Sequence, residues 1–540
     1  MRGKEHALAE PDSSLHPRRP EPSSDIGPEP EALEHVGSVQ PAPSRRVTIT
    51  ADGRLTGGKL AGLTMAGAIF TLAWPILADS LLNALVGLTD TVLSAGIDDG
   101  GASTDAVGGA VTILWFVQLV VQAIGVGATA LISRAVGGHK VGVANAALAQ
   151  TLLLAAVCGV GVGIAMAAVA RPAASIMNLS PEATDGFIAY LHINAIGVPF
   201  GSVLFAGIAC ARGAGDSFRP LIIMLLVNVV NCVLSWLLSG VELKSAAVVG
   251  GEAVTRWVLH NPSPVEMGVR GIGWGTCVSY ILGCVLMVGL LGRGLGGIKL
   301  RRARLRPHWH TMRRLIRVGV PNFLETLGMW AGNMLVILMV GRMGVEHAGF
   351  LGSHLLAVRI EAFSYLPGFA FASAAATLVG QCLGAGSPEM ASRAVNVCVW
   401  SAGLFMGLMG LLFIGWPTTL VGLMSAQAVH LDLAPPLLFV TGMVQVPFAI
   451  SIVYRTALRG AGDVRAAMWI TWISTYLLRI PMAYIFSGVT ISVLGDEIPN
   501  PSPWKLGLLG VWIGLCAEIV IRAVMFLIRW RQGRWANQRI

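Results

Sequence analysis

The chain runs to 540 residues, of which 54% are hydrophobic and only 12% charged, and it carries a formal net charge of +9. Soluble domains average roughly 25% charged residues, so this composition excludes water as the only solvent. Nor does the positive charge read as a nucleic-acid footprint, because most of it sits in short connections between apolar stretches, where it sets membrane topology.

From the start of the chain, residues 1–58 carry Pro11, Pro17, Pro20, Pro22, Pro28 and Pro30 with many Ser and Glu and no long apolar run. Such a segment buries too little surface to fold and lacks the apolar core of a signal peptide, which predicts a disordered tail. Apolar runs then recur, each long enough for the roughly 20 residues that a bilayer core demands. They predict spans near 62–96, 105–133, 143–170, 184–210, 218–240, 270–292, 313–341, 347–380, 391–416, 432–458, 466–487 and 507–529. Only helices fit, since a lone strand in lipid leaves backbone groups unpaired, and the runs are too long and too weakly alternating for barrel strands. The expected fold is therefore an all-α integral membrane protein of about twelve transmembrane helices. Its lobes fall at 59–292 and 313–530, with a basic linker at 293–312 and a tail at 531–540. The eight cysteines are scattered through the spans without metal-ligand spacing and read as small hydrophobes, so neither a disulfide framework nor a metal site is implied.

Alternate connections carry 22 Lys and Arg on one side and 6 on the other, where Asp98, Asp99, Asp105, Asp496 and Glu497 also lie. The positive-inside bias places both termini in the cytoplasm, in agreement with an even number of spans. A repeat organises the spans. Arg212-Gly213-Ala214-Gly215-Asp216 recurs as Arg459-Gly460-Ala461-Gly462-Asp463, Gly137 and its surroundings recur around Gly384, and Pro75 near the start of the first span recurs as Pro321 in the seventh. Three matches in one register are not accidental. Six spans per half make the repeat parallel, with its axis along the membrane normal, and such transporters hold their substrate between the halves.

The segments LAWPILADSLLNALVGLTDTVLSAG, LISRAVGGHK, RGAGDSFRPLI, VGVPNFLETLG, LPGFAFASAAATLVGQCLGAG, LRGAGDVRAAM and LLRIPMAYI, spread over residues 62–529, resemble the multidrug and toxic compound extrusion (MATE) family. The resemblance implies an antiporter, not an enzyme, that alternates between inward and outward openings, driven by protons or sodium ions without a cofactor. It also implies a monomer in the inner or plasma membrane that exports small amphipathic, often cationic, organic molecules. A flippase for lipid-linked saccharides or a metabolite is the alternative. Flippases of that kind need a strongly cationic cavity for pyrophosphate, and the few Arg and Lys inside the predicted spans count against it.

Ionisable side chains inside spans are expensive and are functional hypotheses in themselves. Asp79, Asn83 and Asp90 fall within about 40° of one another on the first span. They form one polar stripe, either a solvated pore-facing surface or a substrate contact. Asp90 lies fifteen residues beyond Pro75 and resembles the family's first-span cation-coupling Asp. A half-buried carboxylate of this kind can bind and release a proton as the two membrane faces open in turn. Asn231 resembles the fifth-span Asn that assists it, with Asn194 as a weaker companion. Where many prokaryotic members carry a second Asp one turn later, this chain has Ser235, which counts against direct sodium coordination.

In the second half, His354, Glu361 and Tyr365 share one face of the eighth span within about 40°, with Glu325, four residues after Pro321, as a possible fourth member lining the cavity. Glu361 has a competing structural reading, neutralisation by Arg359 or Arg455, and Glu518 with Arg522 reads as a structural pair only. Pro75 and Pro321 are either hinges or static kinks. The RGAGD loops read as turns whose Asp caps the next helix. They lack the Lys-Ser/Thr ending of a phosphate-binding loop.

Overall fold

A computed structural model describes residues 62–98, 101–249, 252–344, 348–493 and 496–538. The expected tail over 1–58 lies outside the described residues. The first half comprises α1 (Met65–Ala95), α2 (Ala102–Gly137), α3 (Val141–Ile176), α4 (Pro181–Gly213), α5 (Phe218–Ser239) and α6 (Val269–Arg293). The second comprises α7 (Trp309–Met343), α8 (Phe350–Gly384), α9 (Pro388–Gly415), the short α10 (Pro417–Gly422), α11 (Ala428–Met443), α12 (Gln445–Ala461), α13 (Val464–Trp472), α14 (Ile480–Ser487) and α15 (Gly507–Arg531).

Ten of these helices are individually long and apolar enough to cross a membrane, and α11 with α12 makes an eleventh span, bent by 59°. The bend lies at Val444, where Pro447 has no N–H to return to the Met443 carbonyl. The sequence predicts one straight span here. The twelfth span is α13 and α14, joined without a break through a π-helical stretch, Ile473–Arg479.

The repeat extends to single backbone angles. Gly215 and Gly462, the fourth residues of the two RGAGD turns, both take left-handed φ, at 88° and 90°. Only glycine adopts this conformation without strain. Asp216 accepts from the Arg219 N–H at 3.2 Å, as a helix cap does, whereas Asp463 makes no cap and instead accepts from Arg529 of α15 at 2.8 Å. The last span of each half is preceded by a hairpin: β1 (Leu243–Val249) with β2 (Glu252–Leu259), and β3 (Ile491–Val493) with β4 (Asp496–Ile498). After each hairpin comes Asn-Pro-Ser-Pro, with Asn261 and Asn500 donating to the carbonyls of Trp236 and Tyr484 at the end of the preceding span, at 2.6 and 2.5 Å. This fourth repeat escapes the common register because the second hairpin is shorter.

The cores do not divide at the linker. The first part of α1, from Met65 to Ile76, is buried against α8, α9 and α12 of the second half, while Leu93 near its end joins the core of the first. Likewise Leu315 of α7 lies in the first-half core, and Val336, Met339 and Val340 lie in the second. Pro75 and Pro321 each stand near the end of the stretch that packs in the opposite half's core. The linker itself is docked: Gln150 of α3 donates to the carbonyls of Arg304 and Arg306 at 3.0 and 2.8 Å, and Asn145 accepts from the Lys299 N–H at 2.8 Å. The segment after α15 folds back as well, with Trp535 stacked on Trp530 at 4.0 Å and the Gln538 carbonyl accepting from Arg134.

Candidate functional site

The halves meet through glycines at the ends of α2 and α8. A methyl group on Gly137 would collide with the Gln381 carbonyl, one on Gly384 with the Arg134 carbonyl, and one on Gly380 with the Ser133 hydroxyl. Side chains of α8 reach into the first RGAGD turn, where Thr377 donates to the Arg212 carbonyl and Gln381 to that of Gly213, each at 3.3 Å. At this end the two halves are closed upon one another.

Above the closure in the first half lies a polar cluster inside α1, α4, α5 and α6. Asp90 is 7% exposed, and its Oδ1 has no hydrogen-bond partner. The buried Tyr190 of α4 faces it, and Tyr190 also meets Asn194 and Thr276. Thr276 of α6 accepts from Asn231 Nδ2 at 3.0 Å, which leaves Asn231 Oδ1 buried without a donor. Asn194 donates to the Tyr190 carbonyl at 3.0 Å. Two unpartnered acceptor oxygens in one buried cluster suit a proton or a small cation, which supplies the positive partner they lack. Ser235 adds no charge; its hydroxyl donates to the Ile272 carbonyl at 3.4 Å. Gly275 of α6 lies against the Ser235 backbone, leaving little room for a larger side chain.

Asp79 stands apart from this cluster. Its Oδ2 accepts from Arg212, the first residue of the RGAGD turn, at 2.6 Å. Asn83 is exposed and donates to the Asp79 backbone carbonyl at 2.9 Å. Glu325 repeats the arrangement in the second half: fully buried, it takes Arg459 of the second turn at 2.9 and 3.0 Å and Thr471 at 2.9 Å. It therefore does not join His354, Glu361 and Tyr365; of those three His354 is buried, whereas Glu361 and Tyr365 are partly buried and lie near one another. The His354 ring is buried and accepts from Trp512 of α15 at 3.1 Å, Glu361 accepts from Thr441 of α11 at 2.8 Å, and Tyr365 packs edge-on against Phe369 and Phe448. Successive turns of α8 face different neighbours within a packed bundle.

A family model for MatE matches residues 75–237 and again 321–485. The chain belongs to the MATE family. The two matched stretches begin at Pro75 and Pro321, the repeat pair that opens each half. Among relatives of this MATE protein, the probable multidrug resistance protein NorM of Thermotoga maritima is 26% identical over 478 residues, covering 87% of this chain and 93% of that one. The multidrug resistance protein MdtK of Pectobacterium atrosepticum is 22% identical over 479 residues, covering 87% and 96%. A MOP-superfamily transporter from Pyrococcus furiosus has the same fold, with a TM-score of 0.73 at 20% identity over 88% of this chain and 97% of that one. The protein is thus a multi-pass membrane transporter and not an enzyme, built from two parallel six-helix repeats.

The MATE fold also corrects the reading of its arginines. Arg455, Arg479 and Arg522 are buried at 6%, 8% and 4% exposure inside the second half, so the interior is richer in cations than the sequence suggested, and their scarcity is no ground against an anionic ligand. Glu361 is held by Thr441, and no ion pair joins it to Arg359 or Arg455 among the described residues. Glu518 is shared: Arg479 donates to it at 2.9 and 3.0 Å and Arg522 lies 3.3 Å away, so the pair within one helix is part of a three-residue bridge. Sequence reasoning missed Tyr190, Thr276, Thr441 and Gln445. The available signal was spacing, since Tyr190 precedes Asn194, and Thr441 precedes Gln445, by one helical turn.

Proposed function

We propose that this MATE protein is a secondary antiporter that exports small amphipathic, often cationic, organic molecules in exchange for protons or sodium ions. The observation that carries the reading is the unpartnered carboxylate oxygen of Asp90, buried beside Tyr190 with Asn231 and its own free oxygen across Thr276. A buried acceptor without a donor favours a bound cation, and the same helices that hold it must shift when the halves rock. Binding at Asp90 then biases the equilibrium between the two openings, with Asn231 and Asn194 positioning the cluster. Pro75 and Pro321 serve as hinges, because each stands near the end of the stretch that packs in the opposite half's core. The chain sits in the plasma or inner membrane as a monomer with both termini cytoplasmic. On that orientation the glycine-closed end is cytoplasmic. The NorM and MdtK relatives, named for multidrug resistance, support the substrate class.

Efflux of a fluorescent organic cation from proteoliposomes tests the reading under an imposed proton gradient and then a sodium gradient. The expected outcome is gradient-driven transport that falls at least about tenfold in Asp90→Asn, the cost of removing about 1.4 kcal/mol or more of coupling. Undiminished transport by Asp90→Asn overturns the assignment, and failure of both gradients to move a broad panel of cations overturns the antiport reading.

A further inference from the structure

Among the described residues, and apart from the Asp463–Arg529 pair at the second turn, the interior of the second half gathers four guanidinium groups and three carboxylates. Arg459 pairs with Glu325, and Arg479 and Arg522 share Glu518. Glu361 lies near Arg479 and accepts from Thr441. Arg455 is left over. It is 6% exposed, no carboxylate lies within ion-pair distance of it among the described residues, and its Nε has no hydrogen-bond partner. Its one described hydrogen bond is from Nη1 to the thioether of Met329 at 3.1 Å, and a thioether is a weak acceptor; the carboxylate that acts on it, that of Glu325, lies beyond ion-pair distance and is already taken by Arg459. Arginine does not shed its charge in proteins, and an uncompensated buried charge is costly.

We infer that Arg455 is the anion-recognition residue of the second half, which binds a carboxylate or comparable monovalent oxyanion carried by the transported molecule or supplied free in solution. The guanidinium fork matches a carboxylate in geometry, and one unmatched positive charge calls for one negative charge, not the two or more of a pyrophosphate. The location suits a ligand arriving between the halves. Met329, which covers the guanidinium, is only partly buried, and the next residue of α7, Trp330, packs against Phe116 of α2 at 4.5 Å across the seam. Displacing a flexible Met side chain gives access to Arg455 without breaking an ion pair. The proposal rests on the transporter reading above and extends its substrates to amphipathic molecules that bear an acidic group, alone or beside a cationic one.

Calorimetric titration of the purified full chain with 1-naphthoate and with uncharged 1-naphthamide tests it. Naphthoate is expected to bind at least tenfold more tightly, Arg455→Gln to level the two ligands, and Arg455→Lys, which keeps the charge but loses the fork, to weaken naphthoate at least threefold while still preferring it. Acetate identifies the source. Displacement by acetate at the concentration that naphthoate itself requires assigns the site to a small free carboxylate, and a need for far more acetate assigns it to the cargo; both retain anion recognition. Equal binding of the two naphthalenes by the intact chain overturns the proposal, as does a preference for naphthoate that is unchanged in a folded Arg455→Gln. If that variant does not fold, naphthoate binding by Arg455→Lys equal to that of the intact chain overturns it instead. Naphthoate binding by the intact chain is measured at equilibrium without a gradient, whereas the coupling test above needs one, so failure of coupling and failure of anion recognition are read separately.

Discussion

Asp79 and Glu325 each stand four residues beyond a repeat proline and each bind the arginine that opens an RGAGD turn, yet the two pairs differ in burial. Side-chain exposure is 0% for Glu325 and 12% for Arg459, against 12% for Asp79 and 23% for Arg212. Removing one partner of a buried pair strands the other charge, at a cost of about 3–5 kcal/mol, whereas solvent screens the more accessible pair. Glu325→Gln is therefore expected to lower the thermal midpoint in detergent well below that of Asp79→Asn. Equal midpoints would show that the exposure difference has no energetic weight. The sequence shows both acids and both arginines, and the repeat even shows that they correspond. What it does not show is the pairing, because residues 133 and 134 positions apart meet only after two helices have packed side by side. Asp90 is legible for the opposite reason: its setting in the GLTDT segment beyond Pro75 resembles a family pattern, and that pattern is local.

At the scale of elements, α1 and α7 each belong to two cores, and any rocking of the halves must bend them or strip their first turns from the opposite core. Pro321→Ala returns an N–H that can bond the Arg317 carbonyl and stiffen α7. Turnover in proteoliposomes is expected to fall several-fold with substrate affinity unchanged; unchanged turnover would make the proline a static kink. The seam gives a second test. A Cβ on Gly380 would lie 2.7 Å from that of Ser133, so in a background without native cysteines a Ser133→Cys, Gly380→Cys pair is expected to cross-link after a small local shift. Cross-linked protein should transport nothing until a reductant is added, and full transport in the cross-linked form would show that this end need not open. Twelve spans could be read from hydropathy, but the break at Val444 and the π-helical stretch before Arg479 could not. Both leave the average hydropathy untouched and change only which face each turn presents.

For the whole molecule, duplication produced two halves alike in backbone and unlike in chemistry. The first half holds Asp90 with amide and hydroxyl neighbours and no ion-pair partner among the described residues, and the second holds a buried network of arginines and glutamates. Matching turns, prolines and Asn-Pro-Ser-Pro segments reveal the common fold, while the buried ionisable residues differ between the halves. Their partners lie across helices and are visible only in three dimensions. If the first half links cation to cargo as proposed, that linkage is reciprocal: if cargo expels the cation, the cation must expel cargo. The most direct measurement is proton release from the weakly buffered, detergent-purified protein, followed with a pH indicator as a saturating organic cation is added. Release of about one proton per chain, abolished in Asp90→Asn while the cargo still binds, is the expected result. Cargo binding with no release by the intact chain, or with equal release by Asp90→Asn, would contradict proton coupling at Asp90.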